Sequence, residues 1–176
     1  TFSVSGGVHW EGFPVTIKQL EITVGDSTLS ADGVLGAPPE MTGSDFSLHG
    51  KGPDLSAVGA LAGIGLPRES YSVKGRVVRV EEGLEVQDFE LRVGSTLVTV
   101  DGIVGEPPSH TGTTLSVHAE GPNLALFDRL VGANLPGQAF VIDGRLAKEE
   151  QAFQLQDINA HIGDTDLRVD GSLRTG

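Results

Sequence analysis

Gln87-Asp-Phe-Glu-Leu-Arg-Val-Gly94 and Ser95-Thr-Leu-Val-Thr-Val-Asp-Gly102 stand together in mid-chain, followed by Glu106-Pro-Pro108, Leu115-Ser-Val-His118, Gly121-Pro-Asn-Leu124 and Leu135-Pro136. The same landmarks stand 69 residues earlier without a gap. Gly94 falls on Gly25, Asp101-Gly102 on Asp32-Gly33, Pro107-Pro108 on Pro38-Pro39, and His118 on His49. Gly121-Pro122 falls on Gly52-Pro53 and Leu135-Pro136 on Leu66-Pro67. In the other direction Gly94 falls on Gly163 and Asp101-Gly102 on Asp170-Gly171. Self-similarity at a fixed period marks an array. This period is longer than the common solenoid periods, so one unit holds several strands rather than one coil. The chain divides into a partial unit at 1–17, units at 18–86 and 87–155, and a partial unit at 156–176.

The 176 residues carry 24 acidic and 12 basic side chains, a net charge of −12. A chain this acidic is a poor electrostatic partner for nucleic-acid phosphate or anionic headgroups. There is no Cys, so neither a disulfide nor a thiolate metal site can form. That composition suits an oxidising compartment. No run of about 18 apolar residues offers a membrane-spanning helix. The repeat opens mid-unit, since Phe2-Ser-Val aligns with Tyr71-Ser-Val. We therefore expect a segment of a longer array, with anchors and caps outside it.

Apolar residues alternate through each unit. Phe2, Val4, Gly6 and Val8 share one face of the first strand, as do Tyr71, Val73, Gly75, Val77 and Phe140, Ile142, Gly144, Leu146. Period-two alternation with one apolar face reads as a half-buried strand. The next strand carries Val15 and Ile17, then Leu20, Ile22 and Val24, with the parity shifted between the two sets. The same shift separates Leu84 and Val86 from Phe89, Leu91 and Val93, and Phe153 and Leu155 from Ile158, Ala160 and Ile162. One extra residue that preserves the apolar face is a β-bulge, expected at Lys18-Gln19, Gln87-Asp88 and Gln156-Asp157. Repeated in register, such bends curve a sheet in one direction.

Gly25, Gly94 and Gly163 mark tight turns. The third strand presents Leu29, Ala31, Gly33 and Leu35, with copies Val98, Val100, Gly102, Val104 and Leu167, Val169, Gly171, Leu173. A glycine recurring on the apolar face points to close backbone approach. The proline pairs end that strand. A fourth strand carries Phe46, Leu48 and Gly50, matched by Leu115, Val117 and Ala119. Asp54 and Asn123 then suit helix N-caps. Leu55, Val58, Leu61, Ala62 and Leu124, Phe127, Leu130, Val131 follow at helical spacing, with Gly63 or Gly132 near the end. The fold class is mainly β: an antiparallel meander of four strands and one short helix per unit. A sheet of about ten strands with one greasy face is roughly 48 Å across. Such a face must be covered by a second sheet, barrel closure, the helices or a ligand.

The run Asp88-Phe-Glu-Leu-Arg-Val-Gly-Ser-Thr-Leu-Val-Thr-Val-Asp-Gly-Ile-Val104, with Gly121-Pro-Asn-Leu and Leu135-Pro, resembles the repeats of AsmA-like proteins. The resemblance covers essentially the whole chain. It implies a curved, taco-like β-groove with an apolar concave face. It also implies a periplasmic segment of an inner-membrane-anchored envelope protein of a Gram-negative bacterium. Its partner would be phospholipid, carried by its acyl chains toward the outer membrane. The expected lining is Val4, Leu20, Ile22, Leu29, Ala31, Phe46, Leu48, Tyr71, Val73, Phe89, Leu91, Val98, Val100, Leu115, Val117, Phe140, Ile142, Ile158, Leu167 and Val169. No catalytic residue, metal ligand or cofactor is expected, and no enzyme activity.

Asp32, Asp101 and Asp170 lie four strands apart, hence about 19 Å, too far for a shared acid/base pair or metal. They read as solvated aspartates of Asp-Gly steps on the polar face, where His49 and His118 also fall. Asp164, Asp166 and Asp170 lack the glycine spacing of calcium loops. Arg76 and Arg145 read as cross-strand partners of carboxylates, with a headgroup at the groove lip as the alternative. No phosphate loop, dinucleotide fingerprint or nucleophile elbow occurs. A transmembrane barrel would need aromatic girdles, against one Trp and one Tyr. The remaining competitor is an envelope scaffold with a closed β-sandwich core and no lipid, binding partners by its sheet edge.

Overall fold

The computed structural model describes residues 2–62, 65–150 and 152–174. Eleven strands run as one antiparallel meander, each paired with the strand before and after it. They are β1 (Phe2–His9), β2 (Val15–Val24), β3 (Ser27–Leu35), β4 (Asp45–Gly52), β5 (Tyr71–Val80) and β6 (Gly83–Val93). There follow β7 (Thr96–Gly105), β8 (Thr114–Gly121), β9 (Phe140–Glu149), β10 (Ala152–Ile162) and β11 (Thr165–Arg174). Helix α1 (Leu55–Ala62) links β4 to β5. A 3₁₀ turn at Leu124–Phe127 running into α2 (Asp128–Val131) links β8 to β9. Four strands and one helical insert thus make each unit, and an open sheet this wide curls rather than lies flat.

The turns follow from local chemistry. Gly25, Gly94 and Gly163 have φ of 62°, 56° and 58° and open two-residue hairpins, where a side chain would be strained. At the opposite ends of the strands, Ser44 and Thr113 hold the proline loops from inside. The Ser44 hydroxyl accepts from Gly36 N–H at 2.8 Å and donates to the Met41 carbonyl at 2.6 Å. The Thr113 hydroxyl does the same for Gly105 at 3.0 Å and His110 at 2.7 Å. Both hydroxyl residues are buried, so these bonds replace water that cannot enter. The Asp54 carboxylate accepts from Ser56 N–H at 2.8 Å, and the Asn123 side chain from Ala125 N–H at 3.1 Å. Each caps its insert as the residue type suggests. Gly132 ends the second insert in the left-handed conformation, φ 67°. Gly63, the equivalent expectation, lies outside the described residues.

The bulges fall where the parity shifts. Register jumps from Ile17 to Leu20, from Val86 to Phe89 and from Leu155 to Ile158. In each case two residues oppose one, and the second takes a left-handed φ: 51° at Gln19, 49° at Asp88 and 51° at Asp157. Three bulges at one position of the repeat bend the sheet one way, with the apolar face concave.

Candidate functional site

Antiparallel register turns the alternation into continuous rows. One row crosses all eleven strands: Val4, Ile22, Leu29, Gly50, Val73, Leu91, Val98, Ala119, Ile142, Ala160 and Leu167 are successive cross-strand partners. Beside it runs Leu20, Ala31, Leu48, Gly75, Phe89, Val100, Val117, Gly144, Ile158 and Val169. A third row carries Ile17, Gly33, Phe46, Val77, Val86, Gly102, Leu115, Leu146, Leu155 and Gly171. Tyr71 and Phe140 stand at the rim that bears the helical inserts. Every residue expected in the lining therefore falls in one of these rows or at that rim.

The face they form is open. Val4 is 54% exposed, Leu29 42%, Leu167 49% and Val169 46%. Among the described residues the buried apolar side chains are only Leu55, Val93, Leu124 and Phe140, all beside the inserts or within them. All described strands belong to one sheet, and β1 does not pair with β11. Neither a second sheet nor barrel closure covers the apolar face, so the closed sandwich core is not formed by the described residues.

Glycines make the trough geometry close. A Cβ on Gly33 would lie 2.1 Å from the Asp45 carbonyl oxygen, and one on Gly102 2.1 Å from that of Thr114. Gly171 faces no further strand and has nothing within 4 Å. Gly6, Gly75 and Gly144 answer a different demand. Each faces the bulky residue just after a bulge, and a Cβ would come within 2.8 Å of Leu20 Cα, 3.0 Å of Phe89 Cδ2 and 2.1 Å of Ile158 Cδ1.

On the polar face Asp32, Asp101 and Asp170 are exposed, as expected, but they are not idle. Their Oδ1 atoms accept the backbone N–H of Gln19, Asp88 and Asp157 at 2.8, 2.7 and 2.8 Å. Each carboxylate takes up the donor that the bulge removes from the ladder. His118 Nδ1 lies 2.7 Å from Asp143, its register partner, whereas His49 faces Lys74. Arg76 meets Asp45 through two N–H groups, Nε at 2.7 Å, and this hydrogen bonding, reinforced by the guanidinium charge, holds the Asp45 carboxyl below its usual range. Glu90 is likewise held low, by Lys74 and then Arg92. Among the described residues Arg145 meets no carboxylate as Arg76 does, since Thr114 stands where the earlier unit has Asp45. The Asp166 carboxylate accepts from His161 Nδ1 at 2.7 Å, and with Asp170 tied to the bulge these two aspartates have local partners.

At the proline-loop rim, Arg79 reaches the Glu40 carbonyl at 2.9 Å, the Gly83 carbonyl at 3.0 Å and the Glu106 carboxylate. It ties the loop of one unit to that of the next, a link that the sequence pattern did not signal. No helix among the described residues is long and apolar enough to cross a membrane.

Among proteins of known description, the chain is similar to the AsmA family protein YhjG of Escherichia coli (strain K12). They are 33% identical over 90 residues, which is 48% of this chain and 13% of that protein. The chain thus spans about an eighth of the length of the curated relative it matches. No family model matches the chain, and no solved structure matches it.

Proposed function

We propose that this AsmA-like chain is a section of a lipid conduit in the envelope of a Gram-negative bacterium, shielding phospholipid acyl chains between the inner and outer membranes. The observation that carries this reading is the apolar row from Val4 to Leu167, unbroken over eleven strands and covered by no second sheet among the described residues. An acyl chain needs no hydrogen bond and gains about 0.8 kcal/mol per methylene withdrawn from water. A lining of like rows at each unit offers successive places of similar affinity, which favours sliding over tight capture. The charged headgroup stays at the open seam, where its hydration is kept. The similarity to an AsmA family protein of a Gram-negative bacterium supports the envelope setting. Periplasmic placement and an inner-membrane anchor elsewhere in the protein belong to the same proposal, and no enzyme chemistry is needed for it.

The test places a photo-crosslinking residue at Val98, Val100, Thr99 or Ser116 in cells with labelled phospholipid. Asp101 is avoided because it holds a bulge. The expected result is labelled lipid on Val98 and Val100 and none on the outward Thr99 and Ser116. Silence at Val98 and Val100 overturns the conduit.

A further inference from the structure

The trough is uniform in its rows but not under its helices. Between α1 and the sheet lies an apolar cavity of about 250 Å³, lined chiefly by Ile22, Val24, Leu29, Val58, Tyr71 and Val73. Its floor passes over Gly50, which adds no side chain. One repeat later the corresponding residues are Leu91, Val93, Val98, Phe127, Phe140 and Ile142, over Ala119. There the space is taken. The Phe127 ring meets the Phe140 ring edge-on at 6.0 Å and 85°. Val93 is 1% exposed, while Val24 at the same place in the first unit is 44% exposed. Val93 also has the linker at Ser70 beside it, through Gly94 N–H to the Ser70 carbonyl; the corresponding position of the first unit, Thr1, lies outside the described residues. Among the exchanges along this lining, Phe127 for Val58 puts a ring against Phe140, beside smaller changes such as Ala119 for Gly50.

We infer that the bay under α1 is a discrete seat for one alkyl chain, where an acyl segment leaves the trough axis and lodges between helix and sheet. The inference rests on the conduit reading and adds to it a place where cargo pauses. The molecule shows what chemistry fits the space, since one repeat later a hydrocarbon side chain occupies it. The lining offers hydrocarbon with only the Ser27, Thr28 and Tyr71 hydroxyls nearby, too few to hold a polar group away from water. At about 30 Å³ per water-sized group the bay takes a segment on the order of eight carbons. A side pocket of that depth accepts the end of an acyl chain and excludes a headgroup.

The experiment uses palmitate bearing a terminal diazirine, added to the 176-residue chain, irradiated and mapped by mass spectrometry. The seat predicts label concentrated on α1 around Val58 and on β3 around Leu29, at least fivefold above the positions around Phe127 and Val98. Val58→Phe removes that excess. Phe127→Val creates a second labelled place around Val98 and Ala119. If Val58→Phe loses its β-sheet circular dichroism, the Phe127→Val protein decides alone. Equal labelling of both units, unchanged by either substitution, overturns the seat and leaves the conduit standing. Absence of label from every inner-face residue overturns both.

Discussion

Where α1 crosses the sheet, Val58 and Tyr71 leave a void and Val24 half exposed. Sixty-nine residues later the Phe127 and Phe140 rings meet at the same place, and Val93 there is buried. The backbone plan of the two units is one plan: the same strands, bulges and caps. The insert's form, an α-helix in one unit and a 3₁₀ turn with a short helix in the next, and the side-chain volumes beneath it decide whether that plan yields core or cavity, because interiors are packed closely enough that one ring is felt. A repeat can therefore be packed in one copy and open in the next while its strands and bulges stay the same.

The largest effect should come from breaking the packed copy. Phe140→Ala is expected to cost about 3–5 kcal/mol, the range for a buried aromatic truncated in a core. Tyr71→Ala, beside the cavity, is expected to cost less than half of that. Urea unfolding of the two variants followed by circular dichroism measures the gap, and equal losses would remove the distinction between the units.

A second contrast sets an inner strand against an edge. Gly102→Ala drives a methyl onto the Thr114 carbonyl at a φ of 134° and is expected to cost about 2–3 kcal/mol, as for overpacking in a filled site. Gly171→Ala meets nothing and is expected to be within about 0.5 kcal/mol of the parent. Comparable midpoints for the two would mean that the close approach of β8 to Gly102 is not what selects glycine.

The smallest effect concerns the outer face. Asp45 ionises below its unfolded value because Arg76 hydrogen-bonds its charged form. Its contribution is therefore complete above about pH 4, the unfolded carboxyl range, and is lost as pH falls through the lower folded value. Arg76→Gln should return the Asp45 titration, followed by carboxyl carbon NMR, toward the ordinary value. Arg145→Gln, in the unit where Thr114 replaces Asp45, should leave the carboxyl titrations where they are. A drop in the Asp45 value on removing Arg76 would contradict the pairing.

The sequence carried the fold because its signals were periodic. The parity shift at Gln87-Asp88 showed the bulge, and the alternation through Val98 and Val100 showed the inner face. What it concealed were partnerships that depend on register. Asp101 lies 13 residues from Asp88, and nothing in an Asp-Gly step says which backbone N–H its carboxylate will meet. The Asp143 that answers His118 sits 25 residues away on another strand, and Arg79 bridges two loops still farther apart. At the bay, helical spacing marked Val58 and Phe127 alike as apolar. Only packing distinguishes a side chain that fills a space from one that leaves it.

The aspartates that hold the bulges point outward, away from the trough. The bend of the sheet is thus set from the side that no cargo touches. Shape and affinity are separable in such a design. Substitution along one face can tighten or relax the arc, while the other keeps the same hydrocarbon wall. Width and grip can then change independently, one unit at a time.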